Sequence, residues 1–196
     1  METLHALPLR KGWIYEAVVC TFSGDAPHAA PFGVWTDDHA TLELDMYEGS
    51  ETLANVLASR ELVVAFPAAV TTLFEALFAP QRLSFGHAAT VRAPTLDGAV
   101  ATVELVVHDT APTEGGTHVS ALPRRTHVAA GEVTLLNRAE GLLLESLVLA
   151  TRLERLGAAA VLPALAENLR VVGKVAPGSA AEAALTELLS RRGARS

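Results

Sequence analysis

Residues Asp45 to Leu57 read DMYEGSETLANVL, and within them Gly49, Ser50, Thr52 and Asn55 have the types and spacing that can hold a phosphate. Backbone N–H groups at a helix start and short hydroxyl side chains are the usual donors for that task. The same residues also suit a plain helix start, with Ser50 as N-cap. Asp45, Glu48 and Glu51 lie in the same stretch, with no Lys or Arg among them. Their charge opposes an anion.

Other chemistry-bearing residues are scattered. Arg138, Glu145 and Arg152 are seven apart, so on one helix they fall within about 40° of each other. They read first as an ion-pair seam that sets register, and second as groups that reach an anionic ligand together with Asn137. His108, Asp109 and His118 surround one predicted loop, but their spacing fits no zinc pattern, and no metal site is expected. His28 is the histidine expected nearest a ligand. Cys20, the only cysteine, sits beside Val19 in an apolar run and reads as a small buried hydrophobe. There is no P-loop, Rossmann fingerprint or nucleophile elbow. No side chain identifies itself as a catalytic acid or base.

The elements that must position these residues are mostly strands. WIYEAVVCTFS and HAAPFGVWT, joined by GDAP, are rich in aromatic and β-branched residues or carry turn chemistry between them. Pro31 and Gly33 within the second run mark an edge, a bulge or a close approach to the backbone. ATLELDMY alternates, with Leu42, Leu44 and Met46 on one face and Glu43 and Asp45 on the other. A short helix from Ser50, a strand ELVVAFP and a helix TTLFEALF follow. GHAATVRA and AVATVELVVHD read as strands separated by a turn at PTLDG, and HVAAGEVTLL, after the loop TAPTEGGTH, reads as the last strand.

At Asn137 the period becomes helical. Asn137 with Glu140, and later Ser179 with Glu182, have capping-box spacing. Gly157 ends the first helix. The second covers AAVLPALAENLRVV and the third begins at GSAAEAALTELLSRR. Strands followed by helices predict an α+β chain: an antiparallel β-barrel domain over 1–136 and a small helical domain over 137–196.

The 196 residues are half hydrophobic, with a formal net charge of -7. Such a chain affords a real core and lacks the basic face of a nucleic-acid binder. The opening METLHALPLRKG has no signal-peptide core, and GLLLESLVLATRL is interrupted by Glu145 and Arg152. A soluble, cytoplasmic protein with no membrane partner is expected.

Three stretches together, IYEAVVCTFSGDAPHAAPFGV, MYEGSETLANV and LLNRAEGLLLESLVLATRL, resemble the domain-of-unknown-function family numbered 447. The resemblance runs over residues 12 to 175. It implies a flavin-reductase-like, FMN-binding split β-barrel with a helical C-terminal unit, acting as a homodimer with FMN at its interface. Ala30, Pro31, Phe32 and Gly33 would then pass the isoalloxazine ring, with Ala29 also small enough to admit it. Ser50, Thr52 and Asn55 would hold the phosphate. A redox role on a small molecule follows, with a pterin or deazaflavin as the substrate class.

Relatives typically read Lys-Gly-Ser-Arg-Thr where this chain has Glu48-Gly-Ser-Glu51-Thr. Two unit charges about 6 Å apart at an effective dielectric of about 20 interact by roughly 3 kcal/mol, against about 8 kcal/mol for a micromolar complex. Two routes keep the site: Glu51 turned to solvent, or a basic group supplied by Arg10, Lys11, Arg82, Arg124 or Arg125. A second reading therefore stands beside the first: a divergent barrel without FMN, acting as a binding or assembly module. The 5% aromatic content, low for a site that stacks flavin, also points to it.

Overall fold

Six strands close into an antiparallel barrel: β1 (Tyr15–Ser23), β2 (Ala26–Trp35), β3 (Leu42–Tyr47), β4 (Glu61–Pro67), and two that follow a short pair, β5 (Phe85–His87) and β6 (Pro94–Leu96). These last two are β7 (Ala99–Thr113) and β8 (Gly116–Val128), and the order around the barrel is β1-β2-β3-β8-β7-β4. The structure, a computed structural model, describes residues 3–193. It divides into two compact units, one of the chain up to Lys11 with Tyr15–Leu136, the other of Gly12–Ile14 with the chain from Asn137 onward.

Side chains alternate across each strand, and in β1 and β4 both faces are buried. Val18 and Cys20 of β1 and Val63 and Ala65 of β4 pack outward against Ala76, Val91, Ala93 and Leu96. Leu62, Val64 and Phe66 are equally inaccessible and, by alternation, face the barrel interior. Leu42, Leu44 and Met46 are buried in the predicted alternation. Two helices flank the strands: α1 (Glu51–Ser59) contacts β1, β2, β3 and β4, and α2 (Val70–Phe78) contacts β1, β2 and β4.

The architecture is the α+β barrel with C-terminal helices that the pattern predicts, with shifted boundaries. GHAATVRA is a strand only at its start, because the chain leaves the ladder after His87. The run PTL, expected in a turn, is β6, and the turn proper is Asp97–Gly98. The expected loop TAPTEGGTH instead carries the β7–β8 hairpin, with Thr113 paired to Gly116 around a turn at Glu114–Gly115. Gly115 supplies φ +86 there, a value that glycine reaches without strain. Gly116 lies so close to β3 that a Cβ would meet the Met46 carbonyl oxygen at 2.1 Å. The last strand therefore ends at Val128, and most of HVAAGEVTLL is irregular.

In the second unit, α3 (Ala139–Thr151), α4 (Leu153–Leu156), α5 (Ala158–Val175) and α6 (Ala180–Gly193) follow one another. The single helix expected up to Gly157 breaks at Arg152. Val172, Val175, Ala176, Ala181 and Leu185 form the core with Trp13 and Ile14 packed against it. Asn137 ties this unit internally. Its amide nitrogen donates to the Ile14 carbonyl at 2.7 Å and the Val175 carbonyl at 2.9 Å, and its Oδ1 accepts from Ala139 N–H at 2.8 Å. Ser179 Oγ accepts from Glu182 N–H at 3.1 Å while the Glu182 carboxylate takes the Gly178 N–H at 2.7 Å. That is a capping box with its return bond displaced by one residue.

Candidate functional site

The start of α1 is built by side chains that all bond within the protein. Ser50 is the N-cap, its Oγ accepting from Leu53 N–H at 3.3 Å. Thr52 is only 2% exposed, and its hydroxyl lies 2.9 Å from His28 Nε2 on β2. Asn55 donates through Nδ2 to the Thr21 hydroxyl on β1 at 3.1 Å. Thr21 and His28 are cross-strand partners in the β1–β2 hairpin. Two successive turns of α1 are thus stapled to two facing positions of one hairpin. Of the three residues expected to hold a phosphate, Thr52 and Asn55 seat the helix and Ser50 caps it.

Glu51 reaches the other ring nitrogen of the same histidine. Its carboxylate is 57% exposed and lies 3.6 Å from His28 Nδ1. The first bond of helical spacing runs from Ala54 N–H to the Ser50 carbonyl, and Ser50 Oγ takes Leu53 N–H. The backbone N–H groups of Glu51 and Thr52 precede these and have no partner inside the helix.

His28 belongs to the stretch of β2 that contains the other four predicted residues. Ala30, Pro31, Phe32 and Gly33 pair with Val19, Val18, Ala17 and Glu16 of β1, and all four are half-buried. On its other edge β2 meets β3 only through Val34 and Trp35. From Ala26 to Gly33 that edge has no strand beside it, although the barrel is closed. Exposed strand edges present unpaired N–H and C=O groups, which proteins normally cover or use. His28 joins this edge to the α1 start.

A further polar cluster escaped the sequence reading. His118 of β8 has Nε2 at 3.0 Å from the Glu43 carboxylate and Nδ1 at 2.9 Å from Asp45, both on β3. Ser120 donates to the other Glu43 oxygen at 3.1 Å, and the Trp35 ring lies 5.6 Å from the imidazole. Burial lowers the His118 pKa, but the Asp45 hydrogen bond and the charges of Glu43 and Asp45 outweigh it and hold it above its ordinary value. The alternation of ATLELDMY places Glu43 and Asp45 on one face. Their partner His118 ends the turn-rich run TAPTEGGTH, so its place on β8 opposite Asp45 leaves no local signal.

Burial pushes the Cys20 thiol up to about 12, so it is an inert core residue. Arg138, Glu145 and Arg152 are all exposed. The buried polar contact of that helix is instead Ser146, whose Oγ accepts from Asn168 at 2.9 Å. No group of His, Cys, Asp and Glu able to hold a metal ion occurs among the described residues. No described helix is long and apolar enough to cross a membrane.

Solved structures share this architecture. An FMN-bound DUF447-family protein from Methanosarcina mazei aligns over 96% of this chain and 98% of its own, with a TM-score of 0.58 and 22% identity. Nitrilotriacetate monooxygenase component B from Bacillus cereus aligns over 65% of this chain and 76% of its own, with a TM-score of 0.54 and 17% identity. An FMN-binding protein from Thermus thermophilus with bound 1-cyclohex-2-enone covers 67% and 76%, at TM-score 0.54 and 14% identity. No curated protein matches the chain. The model of the N-terminal domain of the protein of unknown function DUF447 matches residues 15–130, more than half of the sequence, and the chain belongs to that family.

Proposed function

We propose that this protein binds FMN along the open edge of β2, with the phosphate at the start of α1, and serves a redox reaction on a small molecule. The observation that carries the reading is the strand-free edge from Ala26 to Gly33, joined through His28 to the α1 start. The residues fit the group in two respects. Ala30 and Gly33 leave room for a flat ring beside the strand. The N–H groups of Glu51 and Thr52 are left over for an anion by the capping pattern. The Glu51 carboxylate, 3.6 Å from His28 at the same helix start, opposes a phosphate there, and its exposure leaves solvent to screen that charge.

FMN bound there would supply hydride chemistry, and the protein would supply binding and orientation. Ala30, Pro31, Phe32 and Gly33 would line the ring, and Thr52 and Asn55 would act indirectly by fixing the α1 N-terminus. The FMN-bound relative from Methanosarcina mazei supports this reading. A pterin or deazaflavin is the proposed substrate class, a homodimer the proposed assembly and the cytoplasm the proposed location. The exposed apolar side chains of α2, Val70, Phe74, Leu77 and Phe78, support a self-association surface.

One observation favours the second reading. The hydroxyl and amide groups expected to bind phosphate are already spent on Leu53, His28 and Thr21. A barrel without FMN, acting as a binding module, would look the same there. Fluorescence titration with FMN separates the two: saturable quenching supports the flavin reading, and no quenching supports the module.

A further inference from the structure

The loop between β2 and β3, residues 36–41, holds the segment that precedes β1 through one histidine. His39 has φ 62, in the left-handed region that few side chains adopt without cost. Two backbone bonds keep it there. Its N–H donates to the buried Thr36 hydroxyl at 2.9 Å, and its carbonyl accepts from Leu4 N–H at 3.0 Å. The second bond docks the segment, in which Leu4, Leu7 and Leu9 are buried. A single 3-10 turn at Leu4–Ala6 is closed by Leu7 N–H on the Leu4 carbonyl at 3.0 Å. On that turn His5 stacks on the His39 ring, with centroids 4.7 Å apart and planes 29° apart.

The stack suits a neutral His39. Its Nδ1 is buried without a hydrogen-bond partner. In the neutral ring that atom can be a bare lone pair, whereas in the imidazolium it must be an N–H donor. A buried donor left unbonded is costly. The added charge would also meet His5 across the stack and Lys11 at the end of the segment, with Asp38 acting in the opposite sense. Asp38 is exposed, and its Oδ1 already takes the Ala40 and Thr41 N–H groups; its neighbour Asp37 is exposed as well. Burial first, then the charges of His5 and Lys11, hold the His39 imidazole below its ordinary 6.5 despite Asp38. The contribution of the neutral ring to docking is therefore complete above that ordinary value and is lost as pH falls through the lowered one.

We infer that the stacked His5–His39 pair is a proton-sensitive latch, which holds residues 4–9 in place while His39 is neutral and releases them when it is protonated. Release exposes Leu4, Leu7 and Leu9 together, so the latch places an apolar surface under the control of pH. Nothing in it depends on the flavin reading. The test is amide hydrogen exchange on the full chain without FMN, at about pH 7.5 and about pH 5, on either side of the ordinary histidine range, with protection corrected for the intrinsic rate at each pH. Protection at Leu4 and Leu7 should fall by about tenfold at the lower pH, the scale of one screened like-charge contact, while that of Val63 and Val64 in β4 is kept. Asn tolerates the left-handed region, so His39→Asn should abolish the pH dependence. His5→Phe keeps a ring in the stack without its charge and should reduce it. Equal protection at both pH values, a loss shared by β4, or a pH dependence undiminished in both variants would overturn the latch.

Discussion

The balance at the α1 start rests on Glu51 and His28. Glu51 is mostly exposed, so solvent screens its charge and the full Coulomb figure does not apply. Glu51→Arg should still tighten FMN by about tenfold, the scale of a single screened charge reversal; unchanged affinity would place the side chain away from the phosphate. Thr52→Val should lower the denaturant midpoint by an amount worth about 1 kcal/mol, because it removes the bond to His28 at constant volume. His118 sets a pH dependence. Its folded pKa is raised from 6.5, so its contribution to stability is complete below the unfolded value and disappears as pH rises through the folded one. Wild type should lose stability over that interval relative to His118→Gln, measured by urea unfolding at several pH values. A flat difference would mean that the Glu43–His118–Asp45 bridge carries no net charge coupling. Residue types alone suggested Thr52 and Asn55 as phosphate donors. In the structure their side chains bond to His28 on β2 and Thr21 on β1, a direction that depends on where the hairpin lies.

Elements legible from local signals came out well placed. The alternation of ATLELDMY, the Ser50 cap and the Ser179–Glu182 cap all depend on neighbours within a few residues. The β7–β8 hairpin is obscured because β7 runs through Pro112, a signal that normally ends a strand, and cross-strand pairing overrides it, whereas Gly115 does form the turn. The strand-free edge of β2 has no local signal, since it depends on β3 pairing only at Val34 and Trp35. In the helical unit, Asn137 was read as a cap, yet its amide nitrogen bonds two carbonyls from distant parts of the chain. Asn137→Leu should therefore cost roughly 2–4 kcal/mol, from the Ile14 carbonyl and the Ala139 N–H losing this partner, while the Val175 carbonyl keeps the Ile14 N–H. Hydrogen exchange should show the loss in α5 and α6. Protection equal to wild type would mean that water replaces the amide.

At the scale of the molecule, the barrel leaves most of one β2 edge without a strand partner, and α1 and α2 both pack against β2. Under the proposed function this arrangement binds FMN, and dimerisation accompanies it. Sedimentation equilibrium of the full chain should give twice the 20.6 kDa chain mass; a monomer at micromolar concentration would remove the dimer. The most direct measurement is the visible spectrum of the purified protein followed by fluorescence titration with FMN. Flavin absorption bands or saturable quenching, tightened by Glu51→Arg, are expected. A colourless protein that leaves FMN fluorescence unchanged, with the Glu51→Arg variant equally inert, would contradict it.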